Sequence, residues 1–153
     1  DGTPAKPVRL RNSYVIVPTS FEKDAEGNVV CVHADYLPET KSGTAGADSV
    51  KTKAAIHWLD AKTAVPAQFR MYDRLFTVPQ PDSAEDFLDV LNRDSKFVSQ
   101  GFVEPNVAAA APETRYQFER VGYFVTDIKD HSADHPVLNL AVGLRDSWGK
   151  NAK

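Results

Sequence analysis

From Val8 onward the chain alternates with a period of two. Val8, Leu10, Asn12, Tyr14 and Ile16 face one way, and Arg9, Arg11, Ser13, Val15 and Val17 the other. Successive side chains of a strand leave opposite faces, so the pattern predicts a strand whose first half carries charge on one side. Asp24-Ala25-Glu26-Gly27-Asn28 predicts a turn with Gly27 at positive φ. The β-branched and aromatic run from Val29 to Tyr36 predicts the returning hairpin strand. Pro38 to Val50 holds Gly43, Gly46 and many small residues, and reads as a long mobile loop. Further short strands are expected at 54–59, 67–72, 97–102, 116–126 and 138–144. One more is expected at 75–78, closed by Pro79-Gln80-Pro81.

A helical period occurs once. Ser83 stands as an N-cap, with Glu85 and Asp86 in the first turn, and Phe87, Val90 and Leu91 share one face before Asn92. Many short strands with one short helix predict an all-β protein of antiparallel barrel type, as one barrel or two. The proline break at 79–81 marks the expected boundary. Residues 1–7 then form a frayed lead-in, 8–78 a first barrel, and 79–150 the helix and the strands of a second.

Composition adds limits. Hydrophobic residues at 42% and charged residues at 25% are a globular balance. No segment approaches the about 20 apolar residues that cross a membrane, and Asp1 to Pro7 has no signal-peptide core. Cys31 is the only cysteine, which excludes an internal disulfide and fits a reducing, cytoplasmic setting. A thiolate zinc site would need partners that are absent, so no metal is expected. Net charge is −3, against a general nucleic-acid binder. Residues 1–80, however, hold 10 Lys and Arg against 9 Asp and Glu, whereas 81–153 hold 8 against 12. An RNA contact would therefore use a local basic strip and few, specific contacts.

Catalytic signatures are missing: there is no glycine-rich phosphate loop, no G-x-S-x-G elbow and no spacing that assembles a triad. The chain reads as a binding module. Arg9 and Arg11, two apart on a strand, present two guanidinium forks on one face, suited to phosphates and base edges or simply solvated. In Tyr116-Gln117-Phe118-Glu119-Arg120, Gln117 offers both donor and acceptor, as the reading of an unstacked base requires; an ordinary amphipathic strand has the same pattern. Tyr72-Asp73-Arg74 suggests a structural ion pair. His131 and His135 have metal spacing only if helical, and their segment ends at Pro136. His57 beside Trp58 reads as part of a strand.

Seven segments taken in order carry a resemblance. They are VRLRN at 8–12, KAAIHWL at 53–59, RMYDRLFTV at 70–78, EDFL at 85–88, QGFVEP at 100–105, YQFERVGYF at 116–124 and VGLRDSW at 142–148. Together they resemble the C-terminal anticodon-binding region of bacterial-type glutaminyl-tRNA synthetases, over about residues 7–150. The resemblance implies two antiparallel β-barrels, a distal one and part of a proximal one, gripping unstacked anticodon bases. It implies that Arg9 and Arg11 hold the first anticodon nucleotide, that Gln117 and Arg120 read the middle uridine, and that Arg145 and Ser147 lie along the same RNA surface. It further implies a tRNA-Gln partner, a catalytic domain in the same polypeptide that uses ATP and Mg, and a cytoplasmic monomer without membrane attachment. The catalytic domain and the residues for the third anticodon base would precede this sequence, leaving the fragment itself without a cofactor and inactive. The loops at 37–50 and 105–114 depart from the family pattern, and His135 stands where a lysine is expected. Two alternatives remain: a glutamyl-tRNA synthetase type of anticodon-binding domain, and a β-barrel interaction module unrelated to RNA.

Overall fold

The structure is a computed structural model that describes residues 6–144. The chain divides into two compact units between Trp58 and Leu59.

The first unit is a four-stranded sheet of β1 (Val8–Leu10), β2 (Val15–Lys23), β3 (Val29–Leu37) and β4 (Ala55–Ile56), in the order β3-β2-β1-β4. The single strand expected from Val8 is two strands. Leu10 N donates to Tyr14 O at 2.8 Å, and Asn12 takes φ 57 at the corner. Asparagine tolerates this left-handed conformation better than most residues, which is why an unbroken alternation conceals a turn. The hairpin from β2 to β3 forms as expected: Gly27 has φ 87, and the Asp24 carboxylate accepts from Asn28 N at 2.8 Å. Of the strand expected at 54–59, Ala55–Ile56 remains, running parallel to β1.

Little apolar surface holds this unit. Among its described residues, Val15 is the buried hydrophobic side chain, and fully buried Thr40 lies beside its backbone. Thr40 Oγ1 accepts from Val15 N at 2.8 Å and donates to Leu37 O at 2.7 Å. Ser42 N and Ser42 Oγ both donate to Ser13 O. The loop expected to be mobile is therefore stitched to the β1–β2 turn by side chains and backbone.

The second unit is a five-stranded sheet in the order β6-β5-β9-β8-β7. Its strands are β5 (Val65–Tyr72), β6 (Lys96–Val103), β7 (Arg115–Phe118), β8 (Gly122–Thr126) and β9 (Val137–Gly143). β5 and β9 run parallel, and the other neighbours are antiparallel. β5, expected in the first body, pairs along its whole length with β6, so the division falls before it and not at the proline break. The core is Ala67, Val103, Val107, Ala108, Phe124 and Leu138, with Phe69 and Phe118 packed against it. Phe118 and Phe124 meet edge to face at 5.0 Å, and Phe69 touches both rings at 5.5 and 5.6 Å. Such contacts add about 0.5–1.5 kcal/mol each beyond simple burial. Gly101 makes room for this cluster, since a Cβ there would stand 2.9 Å from Phe69 Cε2.

The all-β reading holds, and the pairings among the described residues are open sheets. The one short α-helix among them, α1, lies at Pro105–Ala108, where a loop was expected. The helix expected from Ser83 is replaced by two 3-10 turns, Pro81–Ser83 and Phe87–Val90. Asp86 caps the second, accepting from Leu88 N at 2.9 Å. Short helices need an apolar face to bury. Phe87 and Leu88 stay 55% and 54% exposed, so the helical period has nothing to pack on. The strand expected at 75–78 is reduced to a bridge between Phe76 and Leu91. Among the described residues no helix is long and apolar enough to cross a membrane.

Candidate nucleic-acid interface

The 116–126 segment, expected as one strand, is a hairpin. β7 and β8 pair from Arg115↔Val125 to Phe118↔Gly122, and Val121 N donates to Phe118 O at 3.0 Å across the loop. Tyr116, Phe118 and Phe124 point inward to the aromatic core. Their alternates therefore point outward, and Gln117 is placed directly opposite Tyr123. Both are exposed, with Tyr123 at 46%. Together with Arg115, Tyr116, Phe124, Val125 and Ala141 they line an open cleft of about 460 Å³. A register shift between Tyr123 and Phe124 against β9 sets the angle of this strand. Bulges of that kind re-aim side chains.

The cleft offers what an unstacked base needs. A tyrosine ring supplies a face for stacking, a glutamine amide supplies donor and acceptor for a base edge, and an arginine supplies charge. Gly122 allows close approach of β9 at the loop end of the hairpin, because a Cβ there would stand 2.8 Å from Val142 O. Arg120 lies in the loop at φ 61, a left-handed conformation that costs about 1 kcal/mol or more for a non-glycine residue. It thus leaves the strand alternation and is exposed.

Arg9 and Arg11 do not share a strand face. Arg9 Nη1 donates to Thr40 O at 3.0 Å and lies near Ser13 O and Ser42 Oγ, while Arg9 Nη2 donates to Ala47 O. Its guanidinium is thus spent on binding the 38–47 segment to its own unit. Arg11 lies past the end of β1 and is exposed. Its backbone is pinned on both sides: Arg11 N donates to Ile56 O at 2.9 Å, and Trp58 Nε1 donates to Arg11 O at 3.0 Å. Arg145 and Ser147 fall outside the described residues.

The ion pair expected at Asp73–Arg74 is loose, with 3.9 Å between its atoms and Asp73 half exposed. A tighter one, missed in the sequence, joins Arg70 to Asp127 at 2.9 Å and to Asp130. Asp127 also accepts from Asn139 Nδ2 at 2.7 Å and from the backbone N–H groups of Asp130 and Lys129. Those bonds, the Asn139 amide first and the Arg70 charge last, hold its carboxyl at about 2. Hydrogen bonding to Asp130, helped by the charge of Asp127, raises Arg70 above its ordinary value. No local pattern could have revealed a triad whose members lie up to 60 positions apart. His131 is a core residue: its Nδ1 accepts from Val137 N at 3.2 Å, and its Nε2 lies 3.1 Å from Ala110 O. Both ring nitrogens are engaged in these contacts.

Sequence reasoning missed Arg115 and Tyr123. A signal existed, because Gly122 after the charged Glu119-Arg120 marks a hairpin, and folding there brings Tyr123 opposite Gln117.

Residues 55–127 match the family described as tRNA synthetases class I (E and Q), anti-codon binding domain. The chain is 57% identical over 148 residues to a glutamine–tRNA ligase of Ralstonia nicotianae, covering 96% of this chain and 26% of the relative. It is 57% identical over 148 residues to that of Cupriavidus necator, with 96% and 25% covered. It is 54% identical over 145 residues to that of Vibrio parahaemolyticus, with 95% and 26% covered. The chain spans about a quarter of the length of these curated relatives. Residues 55–127 of this all-β chain thus match the anticodon-binding family, and nearly its whole length is similar to part of these glutamine–tRNA ligases.

Proposed function

We propose that this chain grips the anticodon loop of a glutamine-accepting tRNA and reads the middle nucleotide from the β7–β8 hairpin. The observation that carries the reading is the exposed cleft where Gln117 stands opposite Tyr123. Gln117 matches the donor–acceptor edge of uracil, Tyr123 stacks on the base, and Arg120 donates to a base carbonyl from the loop. A wrong base leaves these polar groups unpaired, which is the source of selectivity. Arg11 contacts the first anticodon nucleotide. Arg9 acts through the loop it holds, fixing the turn that carries Arg11. Arg145 and Ser147, outside the described residues, add further RNA contacts.

In the whole protein this region serves a glutamine–tRNA ligase, whose catalytic domain in the same polypeptide uses ATP and Mg. Binding energy from the anticodon positions the acceptor end for that chemistry. The protein works as a cytoplasmic monomer.

The test is a titration with anticodon stem-loops bearing uridine or cytidine at the middle position, across a salt series. The chain should prefer uridine by about 1–3 kcal/mol, the usual worth of a good bidentate contact. Gln117→Ala should erase the preference, and Arg120→Ala should weaken the uridine stem-loop more than the cytidine one. Equal weakening would make Arg120 a phosphate contact. Arg11→Ala should lower affinity and flatten the salt slope. Equal affinity of the unmodified chain for both stem-loops would overturn the reading.

A further inference from the structure

A second constellation lies away from the cleft, on the β2–β3 hairpin. Glu22 and Cys31 are direct cross-strand partners, and His33 lies two residues along β3 on the same face. His33 Nε2 is 2.7 Å from Glu22 Oε1 and 3.9 Å from Cys31 Sγ. All three ligand atoms lie within 4.8 Å of one another. Thiolate, imidazole and carboxylate thus converge from a backbone whose ladder is offset on both sides, between Pro18 and Ser20 and between Glu22 and Lys23. Thr19 Oγ1 donates to His33 O at 3.2 Å and fastens the strand at this point.

We propose that Glu22, Cys31 and His33 form a binding site for a divalent ion of the zinc class. Tetrahedral zinc with bonds of about 2.0–2.3 Å sets its ligand atoms about 3.3–3.7 Å apart. The three atoms need shifts of about half an ångström to about one ångström to reach that spacing, within reach of side-chain rotation. A sulfur and an imidazole nitrogen select zinc, cobalt or nickel over magnesium and calcium, which take oxygen ligands. All three residues are exposed, so the ion reaches the site directly, and its fourth position faces solvent. A site of this form holds a water or a group from another molecule there. Binding takes the proton from the Cys31 thiol into solvent and replaces the His33–Glu22 contact with two bonds to the ion, so affinity rises with pH. The sequence alone hid this site, because Glu22 lies eleven positions from His33 and meets it through the hairpin register.

The proposal is independent of tRNA binding, and its test uses no RNA. The 153-residue chain, reduced and stripped with chelator, is titrated with Zn²⁺ by calorimetry and with Co²⁺ by absorption. One Zn²⁺ per chain is expected, with a sulfur-to-cobalt charge-transfer band in the Co²⁺ form. Cys31→Ser should abolish that band. Cys31→Ser and His33→Gln should each weaken Zn²⁺ binding at least about tenfold, the lower end of what even an outer-shell partner is worth. Circular dichroism of the variants should be unchanged, as all three positions are exposed. A Co²⁺ complex without the sulfur band, Zn²⁺ affinity indifferent to both variants, or no stoichiometric binding would overturn the proposal.

Discussion

The sheet of residues 8–56 and the sheet of residues 65–143 are built from similar short strands, yet different chemistry holds them. In the second, three phenylalanine rings meet edge to face over Ala67, Val103 and Leu138. In the first, the work falls to Thr40, Ser42 and Arg9, which tie a loop to the strands through backbone carbonyls and amides. An apolar core is non-directional and tolerates some rearrangement. A polar stitch is directional, and it fails as a unit when one donor or acceptor goes missing. The second unit is therefore a platform, and the first depends on a few atoms being correctly placed.

The largest expected effect is on the aromatic core. Phe124→Ala should cost about 3–5 kcal/mol. Hydrogen exchange at β8 amides should accelerate strongly, with the amides of β2 and β3 much less affected. Equal acceleration in both units would show that they unfold together and erase the distinction.

Thr40→Val keeps shape and removes both hydrogen bonds, orphaning the amide of Val15. It should cost about 1–3 kcal/mol. Urea unfolding followed by Trp58 fluorescence, in a Trp148→Phe background, reads this loss. A change under a few tenths would mean that the stitch is not what holds the first unit.

Acid probes the second unit through Asp127. Its carboxyl titrates at about 2 when folded, below the ordinary 3.8. A depressed carboxylate contributes stability that is present above about pH 4 and lost as pH falls through about 2. The contribution is at most about 2 kcal/mol, because solvent near Arg70 and Asp130 screens part of it. Asp127→Asn should flatten the stability profile between pH 4 and pH 2, and an unchanged profile would remove Asp127 from the account.

The smallest effect is expected from Arg9→Lys. An ammonium keeps the charge but loses the fork that reaches Thr40 O and Ala47 O together. The first unit should lose about 1 kcal/mol, and stem-loop affinity should fall while its salt slope stays unchanged. A flattened slope would instead make Arg9 a direct phosphate contact.

Much of this was legible in the sequence, and the failures have identifiable causes. β-Branched and aromatic residues gave the strands β3 and β6, which are exposed along almost their whole length; elsewhere the reading rested on a period of two. It failed at Asn12 and at Arg120, where a non-glycine residue at positive φ turns the chain inside an unbroken alternation. The helical period at 83–91 failed as well, since Phe87 is left exposed among the described residues. Gln117 could be named as a reader of bases from its type and its neighbours, whereas Tyr123, Arg115 and the cleft needed the hairpin to close.

By itself the sequence determined composition, strand periodicity and a family resemblance, because each of these is local or additive along the chain. Tertiary structure alone decided where the two units divide, what Arg9 donates to, and which distant groups meet: Arg70 with Asp127, and Glu22 with His33. Those outcomes depend on register and turn geometry, where a single residue at positive φ or one extra residue in a ladder redirects every side chain that follows.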